Sequence, residues 1–251
     1  VGPSCGITAL RCVREFWDSK VAQDERGEIA TVDRLNAAFA SASTSAELVV
    51  DASTHVGGSD MSLLQHAIEM KFTVQGEIFD IHDLANLAAS VAGLDSMVLR
   101  DISVHGLAQL LRAGAPVIVP FDKHPSHPGV GLFSGQRPHY GVIRGFAMES
   151  SSAPSSFDEH VTAVHFGENS LEGIPADTES PAYFVLQHGT SNRLVVTRAS
   201  RLLESNSQLN SFDDKRGKHK FRQYVNSSSM RLRGLTLALR PHIPSSAGQG
   251  T

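Results

Sequence analysis

Two cysteines and twelve histidines are the side chains of this 251-residue sequence best suited to nucleophilic and proton-transfer chemistry. Cys5 stands in Gly2-Pro3-Ser4-Cys5-Gly6, a turn-forming run directly ahead of a helical stretch. In the first turn of a helix, unpaired backbone N–H groups and the macrodipole favour negative charge. The position therefore predicts a lowered thiol pKa and a thiolate nucleophile. Gly6 leaves room for a substrate carbonyl to approach the backbone, with the Cys5 N–H as a candidate oxyanion donor. The competing reading of Cys5 is a structural cysteine buried after a turn. Cys12 lies two turns further along, among apolar neighbours, and reads as a small core hydrophobe.

A thiol nucleophile needs a proton partner. His139 is the best placed, because it enters the apolar run Tyr140 to Phe146 directly after a polar loop. A histidine at the mouth of a strand is expected to be rigid yet open to solvent. A long stretch between a nucleophilic cysteine and its histidine also fits the order seen in papain-like hydrolases. A third group must orient the imidazole through its other nitrogen. The strand Tyr183 to Gln187 and the residues after it offer Gln187, His188 and Asn192, with no aspartate among them. His66, His82 and His105 fall in helical stretches as surface or interhelical groups. His124 and His127 have an H-x-x-H spacing, but prolines stiffen the segment and no cysteine or acidic partner lies near. No metal site and no cofactor are expected.

These groups must be held by a fold, and the sequence predicts an α+β one. Ile7, Leu10, Val13 and Trp17 make an apolar stripe on a helix over Cys5 to Trp17. Further helices are predicted over Thr31 to Ala40, after a cap at Ser59 or Asp60 with Leu63, Leu64, Ala67 and Ile68 inward, after a cap at Asp80 as far as Gly93, and over Val104 to Arg112. From Pro116 the character changes. Strands are predicted over Pro116 to Pro120, Tyr140 to Phe146, Tyr183 to Gln187, Arg193 to Thr197 and Met230 to Leu239. Helices first and strands afterwards give a helical N-terminal half packed on a mainly antiparallel sheet. The sequence reads as one domain over residues 1–243, with polar insertions at about 149–181 and 205–229 and a disordered tail at 244–251.

Composition narrows the classes. Hydrophobic residues make up 41% and the net charge is −4, which argues against a nucleic-acid binder relying on bulk positive charge. No apolar stretch approaches the ~20 residues that span a bilayer, so no membrane partner is expected. With two cysteines a disulfide scaffold is excluded, and a cytoplasmic protein is expected. The first residue is Val1 and the motif begins at Gly2, so a further N-terminal segment is expected upstream.

Read together, these segments resemble the actin maturation proteases, a cysteine aminopeptidase family with a papain-like fold. GPSCGITAL is similar to the family's nucleophile motif, and Phe72 to Ala88, with a Gln-Gly-Glu-x-Phe core at Gln75 to Phe79, to a stretch that follows it. Pro116 to Asp122 resembles a Pro-x-x-x-Pro-Tyr-Asp element, with Phe121 in place of Tyr. HYGVIRGF carries the His-aromatic pair. QHGTS and Leu202 to Leu209 resemble a late block. The matches run in family order from residue 2 to about 210.

The resemblance implies a hydrolase that removes the N-acetylated first residue, Met or Cys, from immature actin. Cys5 carries over as nucleophile and His139 as general base and acid. His188 is the preferred third member, with Gln187 or Asn192 in its place as alternatives. The family's glutamine oxyanion donor would precede Val1. The substrate tail is acidic while the chain is net negative, so a local basic patch is expected, with Lys123, Arg137 and Arg144 as candidates. The Lys123 to Pro138 loop is expected to close the cleft. Two other readings fit the same Cys–His pair: an acyltransferase, and a protease-like module that binds actin without cutting it.

Overall fold

The computed structural model describes residues 4–24, 29–50, 52, 62–149, 161–166, 181–188, 194–210 and 230–242. Helix α1 spans Cys5–Asp24 and α2 Ile29–Ala42; a short 3₁₀ turn leads into β1, Ala46–Val50. Then come α3 (Leu63–Glu69), α4 (Ile81–Ala92), β2 (Leu94–Arg100) and α5 (Val104–Arg112). The second half holds β3 (Val117–Lys123), β4 (Val130–Gly131), β5 (Pro138–Glu149), β6 (Val161–Phe166), β7 (Tyr183–Gln187), β8 (Val195–Arg198), α6 (Ala199–Ser207) and β9 (Leu235–Pro241).

The strands form one sheet in the order β1-β2-β9-β3-β5-β7-β8, with β4 added to β3 and β6 to β5. Every pairing between these strands is antiparallel. The architecture is thus α+β with a mainly antiparallel sheet. The expected stripe on α1 is buried: Leu10 and Val13 are fully covered, and Ile7 and Trp17 nearly so. They join one hydrophobic cluster that runs through α4, α5 and the central strands to Leu239 in β9.

Local signals act as their chemistry requires. Asp80 caps α4 by accepting from the His82 N–H at 2.9 Å, and Gly93 ends that helix at φ 66°. Three departures matter. First, β1 and β2 lie inside the half expected to be helical. β2 is covered along nearly its whole length, yet carries Asp95 and Ser96. Asp95 accepts from the Ala52 amide and contacts His242, and Ser96 donates to the Ala85 carbonyl. Second, the expected insertion at 149–181 contains β6, and the one at 205–229 begins inside α6, where Ser205 and Asn206 are buried. Third, the last strand starts only at Leu235, after a turn in which Gly234 takes φ 68°. The cap of α3 is Ser62, and Ile68 faces outward at 42% exposure. Ser59, Asp60 and the 244–251 tail lie outside the described residues.

Candidate functional site

Helix α1 points its N-terminus at strand β5. Its first residue is Cys5, and the backbone N–H groups of Tyr140, Gly6 and Cys5 itself lie near enough to the Cys5 sulfur to favour its charged form. The peptide unit joining His139 to Tyr140 therefore touches the thiol. Gly6 is what permits the approach. A Cβ there would lie 3.2 Å from two carbons of the Tyr140 ring, closer than ordinary van der Waals contact. The expectation that Gly6 makes room for substrate is corrected: the space above it holds Tyr140.

The electrostatics of the thiol also differ from expectation. The protein packed around the sulfur strips it of water and raises the Cys5 pKa, and the charge of Glu77 pushes the same way. The three backbone N–H groups act in the opposite direction but do not win. Although Cys5 keeps some exposed surface, its surroundings favour the neutral thiol over the thiolate. Cys12 packs part-buried against the core, and desolvation raises its pKa too.

His139 is held by both neighbouring strands. It pairs with Phe121 across the β3–β5 ladder, and the Phe121 ring meets it edge-on at 5.7 Å. It is buried, at 7% exposure, so the strand mouth is rigid but not open to water as expected. His139 Nε2 lies 3.2 Å from His188 Nδ1, and His188 Nε2 lies 3.0 Å from the carbonyl of Pro128. A carbonyl can only accept, so His188 carries its proton on Nε2 and presents the Nδ1 lone pair to His139. His139 then donates from Nε2, which makes its Nδ1 the basic nitrogen. Desolvation lowers the His188 pKa, with the Pro128 carbonyl opposing the shift and Lys123 adding to it, so burial favours the neutral ring.

Of the three candidates for the third position, the structure brings His188 to His139. Gln187 is the last residue of β7, paired with Val142, and Asn192 lies outside the described residues. Gly141 makes the meeting possible: a Cβ there would press on Phe121 at 3.1 Å and approach the Gln187 carbonyl and His188 Cβ.

The carbonyl that fixes His188 belongs to the loop between β3 and β5, and a residue not foreseen organises that loop. Asp122 is fully buried, and its carboxylate accepts from the backbone N–H groups of Phe133, Gly135 and Arg137 at 2.8 to 2.9 Å. Its own N–H donates to Ser205 Oγ, which donates onward to the Gly131 carbonyl. Asn206 donates to the carbonyls of Pro120 and Leu235. The segments 116–122 and 202–209 thus meet as a scaffold for the loop. The signal was an Asp directly after an apolar strand and a Ser-Asn pair within a helix.

The basic candidates separate. Arg137 is exposed at the end of the loop, with its carbonyl accepting from the Lys123 N–H. Arg144 is removed from the site: its guanidinium lies 5.0 Å above the Phe16 ring, about three helical turns (roughly 16 Å) along α1 from Cys5. His124 and His127 stack face to face at 3.7 Å, each ring accepting a backbone N–H on Nδ1. Among the described residues no group of three or more His, Cys, Asp or Glu side chains is arranged to hold a metal. His82, expected at a surface or between helices, is buried between Asp80 and Glu47.

Comparison with known proteins agrees with the motifs. Residues 40–147, which include His139 but not Cys5, match the family described as "Actin maturation protease-like, C-terminal domain". The chain is 27% identical over 159 residues to the actin maturation protease of Xenopus tropicalis, covering 62% of this chain and 52% of that protein. It is 27% identical over 207 residues to that of Bos taurus, covering 74% and 57%. For Drosophila melanogaster the identity is 25% over 167 residues, covering 64% and 52%. The chain spans about half the length of the curated relatives it matches. No solved structure matches.

Proposed function

We propose that this chain, which is similar to the actin maturation proteases, is a papain-like cysteine aminopeptidase that removes the N-acetylated first residue, Met or Cys, from an actin N-terminus. The family resemblance supports a role in actin processing, and one observation supports the chemistry: Cys5 at a helix start, against the peptide unit of a histidine whose tautomer is set by a second histidine. The substrate would place the protein in the cytoplasm. No described helix is long and apolar enough to cross a membrane.

Burial favours the neutral Cys5 thiol, and its proton passes to Nδ1 of His139 as sulfur attacks the carbonyl of the acetylated residue. His188 accepts the Nε2 proton of His139 in a hydrogen bond and so stabilises the imidazolium that forms. The backbone N–H groups around Cys5 stabilise the tetrahedral oxyanion. His139 then protonates the departing amine, leaving a thioester on Cys5. Water, deprotonated by His139, hydrolyses that thioester and frees the acetylated amino acid. The loop pinned by Asp122 covers this centre and limits cleavage to a chain end.

Mass spectrometry of acetylated actin N-terminal peptides incubated with the protein tests the reading. Loss of one acetylated residue by the parent, and none by Cys5→Ala, is the expected result. Intact peptide with both proteins, or transfer of the acyl group to an added amine in place of hydrolysis, would refute it.

A further inference from the structure

The far end of α1 holds a feature that peptide cleavage does not use. A narrow groove lies where Phe16 of α1, the end of α5 and the middle of β5 meet, lined by Phe16, Arg112, Pro116, Ile143, Arg144 and Phe146 among others. It encloses about 420 Å³, counting space open to solvent. About 20 Å³ of that admits the centre of a water molecule, which suits a small polar group rather than an extended ligand.

Both arginines are spread over aromatic faces. The Arg112 guanidinium lies 5.2 Å from the Phe146 ring centre, and that of Arg144 lies 5.0 Å from Phe16. Such contacts fix the plane of a guanidinium but leave its in-plane N–H donors unused. Arg112 Nη2 is buried and has no hydrogen-bond partner. Neither arginine forms an ion pair among the described residues, although burial weakens the hold of Arg144 on its proton. Two half-desolvated cations with unused donors facing one groove are unfavourable alone and become favourable once an anion bridges them. Elsewhere the part-buried Arg240 is paired with Asp95, and even the exposed Arg231 is paired, with Asp80.

We propose that Arg112 and Arg144 form a second ligand site, remote from Cys5, that takes one small oxyanion, a carboxylate or a phosphate group, in this groove. The site is independent of the peptidase reading, since it shares no residue with the Cys5–His139–His188 relay. Phe16 and Phe146 hold the two guanidiniums in place beforehand, so binding orders little that is not already ordered.

Side-chain NMR of the arginine Nε–Hε groups in the intact chain tests it, with two probes titrated separately: inorganic phosphate and N-acetylglutamate. Saturable shifts of the Arg112 and Arg144 signals with either probe are expected, and the probe that binds more tightly names the source. Arg112→Gln and Arg144→Gln should each weaken that affinity about tenfold. If a glutamine variant does not fold, Arg112→Lys and Arg144→Lys keep the charge, lose the fork and should weaken binding similarly. Absence of saturable shifts with both probes up to tens of millimolar, or unchanged affinity in the folded variants, would overturn the site.

Discussion

At the scale of single residues, the proposed chemistry depends on which nitrogen of each histidine carries a proton. The Pro128 carbonyl dictates the His188 tautomer, and His188 in turn dictates that of His139. His188→Ala should therefore lower kcat roughly 10²-fold with little change in KM. His188→Asn, whose amide oxygen can accept from His139 Nε2, should recover part of the loss. The pH profile checks the same claim. Since the His188 pKa is lowered, the folded protein favours its neutral form. Its contribution to stability and activity is complete above the ordinary histidine pKa of 6.5 and declines as pH falls below it. The acid limb of kcat should thus change in His188→Asn; an unaltered limb, with kcat unaltered, would remove His188 from the relay. The placement of Cys5 at a helix start and of His139 at a strand start was legible in the sequence, because a cysteine after a turn and a histidine before an apolar run each have a local signature. The state of the thiol was not legible: the helix start predicts a thiolate, whereas burial, a product of the whole fold, reverses the sign.

At the scale of elements, the β3–β5 loop carries the Pro128 carbonyl, and Asp122 gives that loop its shape. Asp122→Ala would leave three backbone donors unpaired beside a cavity. It should cost about 2–4 kcal/mol in urea unfolding and reduce kcat through the displaced loop. Full activity with unchanged stability would show that the loop holds itself. Helix α1 was readable from its apolar stripe, and α4 from its Asp80 cap and Gly93 stop. Strand β2 was not, because Asp95 and Ser96 interrupt its apolar pattern. Their partners, Ala52, His242 and Ala85, are distant in sequence or on another element. Helix α6 was hidden for the same reason: Ser205 and Asn206 look solvated until β3 and β9 supply their partners. Polar residues satisfied by long-range contacts give no periodic signal.

At the scale of the whole molecule, charge shapes stability and, under the proposed function, would shape substrate choice. The Asp83 carboxyl is pushed up to about 6, chiefly by loss of water and then by the charge of Asp80, with Arg231 and His82 pulling it back. An acid raised in the folded state costs stability above its unfolded pKa, and the cost is complete once pH exceeds the folded value. Asp83→Asn should therefore stabilise the protein by about 1 kcal/mol at pH 8, after allowance for solvent screening at this half-exposed group, and by almost nothing near pH 4. Denaturant midpoints at the two pH values read the difference directly.

Under the proposed function, a chain of net charge −4 would act on an acidic tail and would need local positive potential. Arg144 is too far along α1 to supply it, which leaves Arg137 and Lys123 beside the loop. Arg137→Glu should raise KM for an acidic acetylated peptide several-fold more than for a neutral one. Equal effects on both would assign Arg137 no part in selection. The central claim, that Cys5 forms an acyl-enzyme with help from His139, is tested most directly by intact-protein mass spectrometry after brief mixing with an activated ester of acetylmethionine and an acid quench. The account predicts one acetylmethionyl group on Cys5, absent from Cys5→Ala and strongly reduced in His139→Ala. An unmodified Cys5, or equal labelling of Cys12, would contradict it.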